Sequence, residues 1–188
     1  MLEPIKNYIN DNYGSKRGLL NTSRSLWFTQ IGGYKEFQDI DWDRVQRLIF
    51  ICSGNICRSP LGDVYAKSKG YNAESFGLDC GDAYPADPRA INFGATLGLD
   101  LQGHRTRNIA NYRPSSHDLL VGMEPSHMRP LEKYTDSSVQ ITLAGLWLDP
   151  VRPYLHDPYN ACPAFFNKCE QKVVAATNNL LRKLKTPT

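Results

Sequence analysis

Leu48-Ile49-Phe50-Ile51-Cys52-Ser53-Gly54-Asn55-Ile56-Cys57-Arg58-Ser59-Pro60 decides the fold of this chain. Its first four residues are all apolar, as expected of a central strand covered on both faces. The loop that follows ends in Ser59, a helix-capping residue type, and Pro60, which suits a first helical position, so a helix is expected from about Pro60 to Ser68. Gly54 bends without a Cβ penalty and Asn55 tolerates a left-handed conformation. Backbone N–H groups can therefore converge under the positive end of the helix, a cradle for a tetrahedral dianion. The same field favours a thiolate at Cys52. Arg58 adds a planar fork for two equatorial oxygens, a geometry lysine cannot copy. An isolated Cys and Arg at this spacing usually mean a core thiol and a surface cation. Here Gly, Asn, Ser and Pro also stand where a strand-to-helix anion loop needs them.

Outward from this segment, short apolar runs alternate with helical stretches, the pattern of βαβ units and a parallel sheet. A second strand falls within 72–76. Asp87-Pro88 reads as N-cap and first helical residue, with Ile91, Ala95 and Leu97 as apolar positions and Gly98 as the stop. Strands are expected over 118–123 and 139–143. A long final helix starts near Pro163, with Phe166, Cys169, Val173, Leu180 and Leu184 along one stripe. Short connections and right-handed crossovers give a three-layer α/β sandwich, in which ligands bind at the carboxyl ends of strands. The first such end is Cys52.

The chain has 188 residues, 41% hydrophobic and 22% charged, the composition of a globular domain. Its net charge of +3 comes from scattered residues with no basic block, so nucleic acid is not an expected partner. No secretory signal is visible in residues 1–6, and 48–52 is too short to span a bilayer, so a cytoplasmic protein without membrane insertion is expected. The five cysteines read as thiols. Spacings such as Cys52 to Cys57 and Cys162 to Cys169 do not match structural zinc, His117, His127 and His156 read as surface or loop residues, and no metal or cofactor is expected. Residues 1–44 lack the alternating pattern and form an extension to a domain over 45–188. Within it Leu19, Leu20, Leu26, Trp27 and Ile31 fall near one face of a possible helix. Packing on the domain is the first expectation for that face, a partner or second subunit the next. Because the catalytic loop lies within 48–60, the arm is expected to be remote from the cleft.

The loop resembles the signature of low-molecular-weight protein tyrosine phosphatases and of the arsenate reductases that share their fold. The resemblance extends to Ser75-Phe76-Gly77, Asp87-Pro88-Arg89, Gly103-His104-Arg105-Thr106-Arg107, Met123-Glu124 and Asp157-Pro158-Tyr159. It implies a flavodoxin-like sheet of four parallel strands, joined here to a mostly helical extension. It also implies that Ser53, Gly54, Asn55, Ile56, Cys57, Arg58 and Ser59 form the phosphate-binding loop. Cys52 then resembles the attacking thiolate, Arg58 the phosphate ligand, and Ser59 the hydroxyl that stabilises the departing thiolate. Asn55, Ser75 and His104 resemble the loop's supporting network, Asp157 the general acid and Tyr159 an aromatic wall. Asp157 has a physical argument too, since a residue before proline is driven extended and projects its side chain from a loop. Tyr84 is either a second wall or a solvent-facing loop residue. Cys57 reads as a redox partner for Cys52, or as a small buried apolar residue.

What the resemblance implies is hydrolysis of phosphotyrosine in protein substrates through a cysteinyl phosphate, with phosphate or another oxyanion in the site. Bacterial enzymes of this kind often act on autophosphorylating tyrosine kinases of exopolysaccharide control. A thiol-coupled arsenate reductase needs shuttling cysteines after the third strand, where this chain has none. A phosphotyrosine-binding module without turnover is opposed by the intact Cys52, Arg58 and Asp157 set. Monomer and homodimer both stay open.

Overall fold

The computed structural model describes residues 2–136 and 138–184. Strands β1 (Arg47–Cys52), β2 (Ala73–Gly77), β3 (Asp118–Gly122) and β4 (Gln140–Leu143) form one sheet in the order β2-β1-β3-β4, every pair parallel. Among the described residues six α-helices accompany it: α1 (Leu2–Tyr13), α2 (Lys16–Gln30), α3 (Arg58–Ser68), α4 (Pro88–Thr96), α5 (Met128–Leu131) and α6 (Pro163–Leu181). The expected α/β sandwich with a helical N-terminal extension is thus the observed architecture.

Strand periodicity builds its layers. Leu48, Phe50 and Cys52 join one buried cluster with Leu61 of α3 and Phe166, Val173 and Leu180 of α6, while Ile49 and Ile51 join the other, with Leu120, Met128, Leu131 and Leu146. Successive residues of a strand point to opposite faces, so an unbroken apolar run is what a central strand requires. Gly62 lets α3 lie close on β1, because a Cβ there would stand 2.7 Å from the Phe50 ring. Asp87 caps α4 by accepting from the Arg89 N–H at 2.8 Å, and Gly98, with φ +70°, follows its end.

Two local readings need correction. Helix α3 begins at Arg58, with Cys57 at the N-cap and no side-chain cap bond, because the Ser59 hydroxyl is drawn to Cys52 and Asn55 instead. The apolar face expected for α2 is only partly covered, with Leu19 and Leu26 half-buried. Gly18 and Ser25 are buried, whereas Leu20, Trp27 and Ile31 are 68%, 59% and 60% exposed. Close approach selects the small face: a Cβ on Gly18 would lie 2.8 Å from the His156 ring, and Ser25 Oγ is 3.2 Å from Tyr34 Oη. Helix α1 lies against α2 and α6, and Lys168 Nζ donates to Asn12 Oδ1 at 2.9 Å.

Under the core cluster, α6 carries Glu170, fully buried, with neither carboxylate oxygen hydrogen-bonded. Burial, opposed by Arg58 and reinforced by Asp87 and Asp157, pushes its carboxyl up to about 8. A carboxyl raised in the folded state supports folding while it is protonated in both states; that support is complete below about 4.5 and is lost as pH rises through 8. Glu170→Gln is therefore expected to raise the melting temperature at pH 8, at roughly 2–4 °C per kcal/mol recovered. The gain should vanish toward pH 4.5; thermal unfolding of both proteins across that range is the measurement.

Candidate active site

At the carboxyl end of β1 the chain turns through Ser53-Gly54-Asn55-Ile56-Cys57 before α3 begins. Asn55 takes φ +52°, the left-handed conformation for which its short amide is suited. Its side chain holds the turn from within: Nδ2 donates to Ser59 Oγ at 2.9 Å, and Oδ1 accepts from the Arg107 N–H at 2.9 Å. Its carbonyl lies 2.7 Å from His104 Nε2. Ser75 is not part of this network, for its hydroxyl donates to Asp63 Oδ2 at 3.2 Å, across from β2 to α3. Its backbone carbonyl instead takes a bond from Arg107 Nη2 at 3.2 Å.

Cys52 Sγ lies at the floor of the loop, accepting from the Asn55 N–H at 3.2 Å, with Ser59 Oγ at 3.0 Å. Asn55 donates to the Ser59 oxygen, and the Ser59 hydroxyl faces two acceptors of its own, the sulfur at 3.0 Å and the Phe76 carbonyl at 3.5 Å. Arg58, only 1% exposed, sends Nη1 to Glu124 Oε1 at 2.6 Å and to the Leu155 carbonyl at 2.8 Å. Its Nη2 meets Asp157 Oδ2 at 3.0 Å. Burial works against this charge, but Asp157, Cys52 and Glu124 outweigh it and hold the guanidinium protonated. Asp157 remains 38% exposed at the rim.

The Asp157 loop is tied down from two sides. Arg89 forks onto Asp87 at 3.0 and 2.8 Å, donates to the Tyr159 carbonyl at 2.6 Å, and stacks 4.4 Å over the Phe166 ring. On the other side His156 Nε2 is 3.0 Å from Ser15 Oγ, its Nδ1 is 2.7 Å from Tyr154 Oη, and Asn21 Nδ2 donates to that oxygen at 3.1 Å. Both Ser15 and Asn21 belong to the extension. The arm expected to be remote from the cleft therefore contacts the residue preceding Asp157.

A cleft of about 940 Å³ opens between α2 and this loop, with Ser53, Glu124, His156 and Asp157 on one side and Arg17, Asn21, Arg24 and Trp27 on the other. Of the Cys52–Ser59 loop only Ser53 lines this cleft, and Tyr84 and Tyr159, expected as aromatic walls, lie outside its lining as Cys52 and Arg58 do. Tyr84 is 63% exposed, its ring near Gly81, and Tyr159 is 52% exposed. His127, read from the sequence as a surface or loop residue, is buried. Its Nδ1 accepts from the Met123 N–H at 3.3 Å, which leaves Nε2–H to face Ser53 Oγ at 3.4 Å. Burial and the Arg58 charge lower its pKa to about 3, so it is neutral at pH 7. Glu124 was likewise read only as part of a resembling string. Its pairing with Arg58 spans 66 positions, and no local pattern announces it. Cys57, Cys80 and Cys169 are unpaired thiols whose pKa values burial raises. Among the described residues no cluster of three or more His, Cys, Asp or Glu is placed to hold a metal, and no helix is long and apolar enough to cross a membrane.

A strand, an anion loop and a helix that gather a thiol, a buried arginine and an aspartate define a phosphate-ester-processing class of site. The low molecular weight phosphotyrosine protein phosphatase family matches residues 47–187, and the chain belongs to it. Curated relatives that the chain matches are named low molecular weight protein-tyrosine-phosphatases. The Escherichia coli K12 low molecular weight protein-tyrosine-phosphatase Etp is 30% identical over 115 residues, 60% of this chain and 76% of Etp. Wzb of the same strain, also a low molecular weight protein-tyrosine-phosphatase, is 32% identical over 60% of this chain and 77% of its own length. The crystal structure of the tyrosine phosphatase Wzb from E. coli K30 in complex with sulphate superposes with a TM-score of 0.65 at 29% identity. It covers 75% of this chain and 99% of that one.

Replacing both Ser15 and Asn21 with alanine releases His156 and Tyr154 from α2. A displacement of about 1 Å at a reacting group costs about 10²-fold, so a fall of at least about tenfold in kcat for para-nitrophenyl phosphate is expected, with KM little changed. Steady-state kinetics of the double variant tests it; wild-type kcat would show that the extension does not position the loop.

Proposed function

We propose that the chain dephosphorylates phosphotyrosine in proteins, and small aryl phosphates, through a cysteinyl-phosphate intermediate. The observation that carries this reading is the convergence of Cys52 Sγ, Arg58 and Asp157 around one loop, with Arg58 Nη2 3.0 Å from Asp157 Oδ2. In this mechanism the loop N–H groups from Ser53 to Ser59 hold the phosphoryl oxygens together with Arg58, whose Nε has no protein partner and whose Nη2 exchanges Asp157 for a substrate oxygen, and Cys52 thiolate attacks phosphorus in line. The P–O bond to the aryl group breaks as Asp157, released from Arg58 and in its acid form, gives its proton to the departing phenolate. Asp157 carboxylate then takes a proton from water, whose oxygen attacks the cysteinyl phosphate. Phosphate leaves and the Cys52 thiolate returns, stabilised by the Ser59 hydroxyl. Asn55 and His104 keep the loop in shape. The sulphate-bound state of the Wzb relative supports an oxyanion in this cradle.

The natural substrate in this reading is a phosphotyrosine protein, by analogy a tyrosine kinase of exopolysaccharide control, and the setting cytoplasmic. Cys57 serves as redox partner: peroxide converts Cys52 to a sulfenic acid, and the Cys57 thiol condenses with it, releasing water and forming a disulfide. Both sulfurs sit buried in one loop, and Cys57's own thiol is disfavoured as a thiolate first by burial and then by Glu170 and Cys52. Arsenate reduction is less well supported, since Cys169 is buried in the α6 stripe and Cys162 donates to Asp11 Oδ1 at 3.3 Å.

Cys52→Ser is expected to abolish turnover of para-nitrophenyl phosphate while inorganic phosphate still binds, which calorimetry would register. Asp157→Asn should slow aryl phosphate hydrolysis by about 10²- to 10⁴-fold, with a smaller loss for more acidic leaving groups. A loss equal across leaving groups would remove Asp157 from the role of proton donor.

A further inference from the structure

One wall of the cleft comes from outside the segment that defines the family. Helix α2 ends at Gln30, whereas the family match begins at residue 47. The matched relatives Etp and Wzb align with only 60% of this chain. Yet Arg17, Asn21, Arg24 and Trp27 of α2 face Ser53, Glu124 and Asp157 across the same space.

The charges lining this space, two arginines and two carboxylates, sum to zero but do not pair across it. Its two carboxylates, Glu124 and Asp157, are both engaged by Arg58, at 2.6 and 3.0 Å. Arg17 and Arg24 are exposed, and among the described residues neither forms an ion pair. Burial is the main influence that disfavours protonation of His156, and Arg17 adds to it after Arg58. The two arginines are two helical turns apart, about 10 Å along one stripe of α2, with Asn21 between them. An extended peptide advances about 3.3 Å per residue, so that separation spans about three residues of a bound chain. Trp27 offers an exposed ring on the same rim.

Resting on the phosphatase reading above, we propose that α2 is a substrate-recognition wall, in which Arg17 and Arg24 select phosphotyrosine peptides with acidic residues flanking the phosphotyrosine. The phosphoryl group enters the Cys52 loop, and carboxylates of the neighbouring residues meet the two guanidiniums. Carboxylate partners suit a planar fork, and open-cleft pairs of this kind act on selectivity and encounter more than on raw affinity.

The test compares kcat/KM for one phosphotyrosine peptide with Glu at the flanking positions and the same peptide with Lys there, alongside para-nitrophenyl phosphate. Wild type should prefer the Glu peptide by about fivefold or more at low salt, consistent with two exposed ion pairs, and the preference should fade in 0.5 M NaCl as screening sets in. The double variant Arg17→Gln/Arg24→Gln should lose the preference and Arg17→Glu/Arg24→Glu should reverse it, each still turning over para-nitrophenyl phosphate. Equal use of both peptides by wild type, or a preference that survives charge reversal, overturns the recognition wall while leaving the phosphatase intact. Wild-type protein that fails on para-nitrophenyl phosphate as well overturns the phosphatase reading and this proposal together.

Discussion

The buried charge of Arg58 is the constraint around which the site is organised. A guanidinium taken almost wholly from water costs several kcal/mol unless its donors are met, on the order of 3–5 kcal/mol when a buried partner is removed. Here Glu124 after β3, the Leu155 carbonyl and Asp157 meet its two Nη groups, while Nε is left without a protein partner. One residue at the start of α3 thereby fixes the ends of two other segments. The Asp157 loop is further closed by the Leu155 N–H, which donates to the Met123 carbonyl at 3.0 Å, next to Glu124. Placement of the aspartate is thus a consequence of solvating the arginine.

The phosphate loop has its own support, independent of that charge. Asn55 spends both ends of its amide and its carbonyl on the turn, and His104 and Arg107 reach it from the segment after α4. Arg107 is held in turn by Glu74 at 2.7 Å and lies over the Phe76 ring at 4.3 Å. Glu74 shares itself with Arg47, which forks onto Asp118 at 2.8 Å on both oxygens. The loop at one end of the sheet is therefore connected through β2 to a half-buried ion network at the other, centred on the buried Asp118.

The family's core and the chain's extension divide the labour of the cleft. Cys52, Arg58 and Asp157 all lie within 47–187, the region of the family match. The surface opposite the aspartate is supplied by α2, whose Ser15 and Asn21 reach the loop and whose Arg17, Arg24 and Trp27 face the opening. Residues of the family match and a surface from outside it meet at His156.

Where a feature depended on neighbours a few residues apart, the sequence alone determined it. The apolar run of β1, the Gly54–Asn55 turn, the Asp87–Pro88 start of α4 and the stripe on α6 are decided by steric limits, capping and periodicity, all acting over short spans. The anion loop and its cysteine and arginine were legible for the same reason. Tertiary structure alone decided what met across the chain. Glu124 pairs with Arg58, Ser75 turns to Asp63, His127 is buried behind Ser53, and Ser59 leaves its capping role for Cys52. It also turned the small face of α2 inward and Leu20 and Trp27 outward, contrary to the apolar pattern. That orientation follows from the close approach of His156, a residue about 140 positions away. Packing of distant segments selects by shape, and shape of this kind is not written in local hydrophobicity.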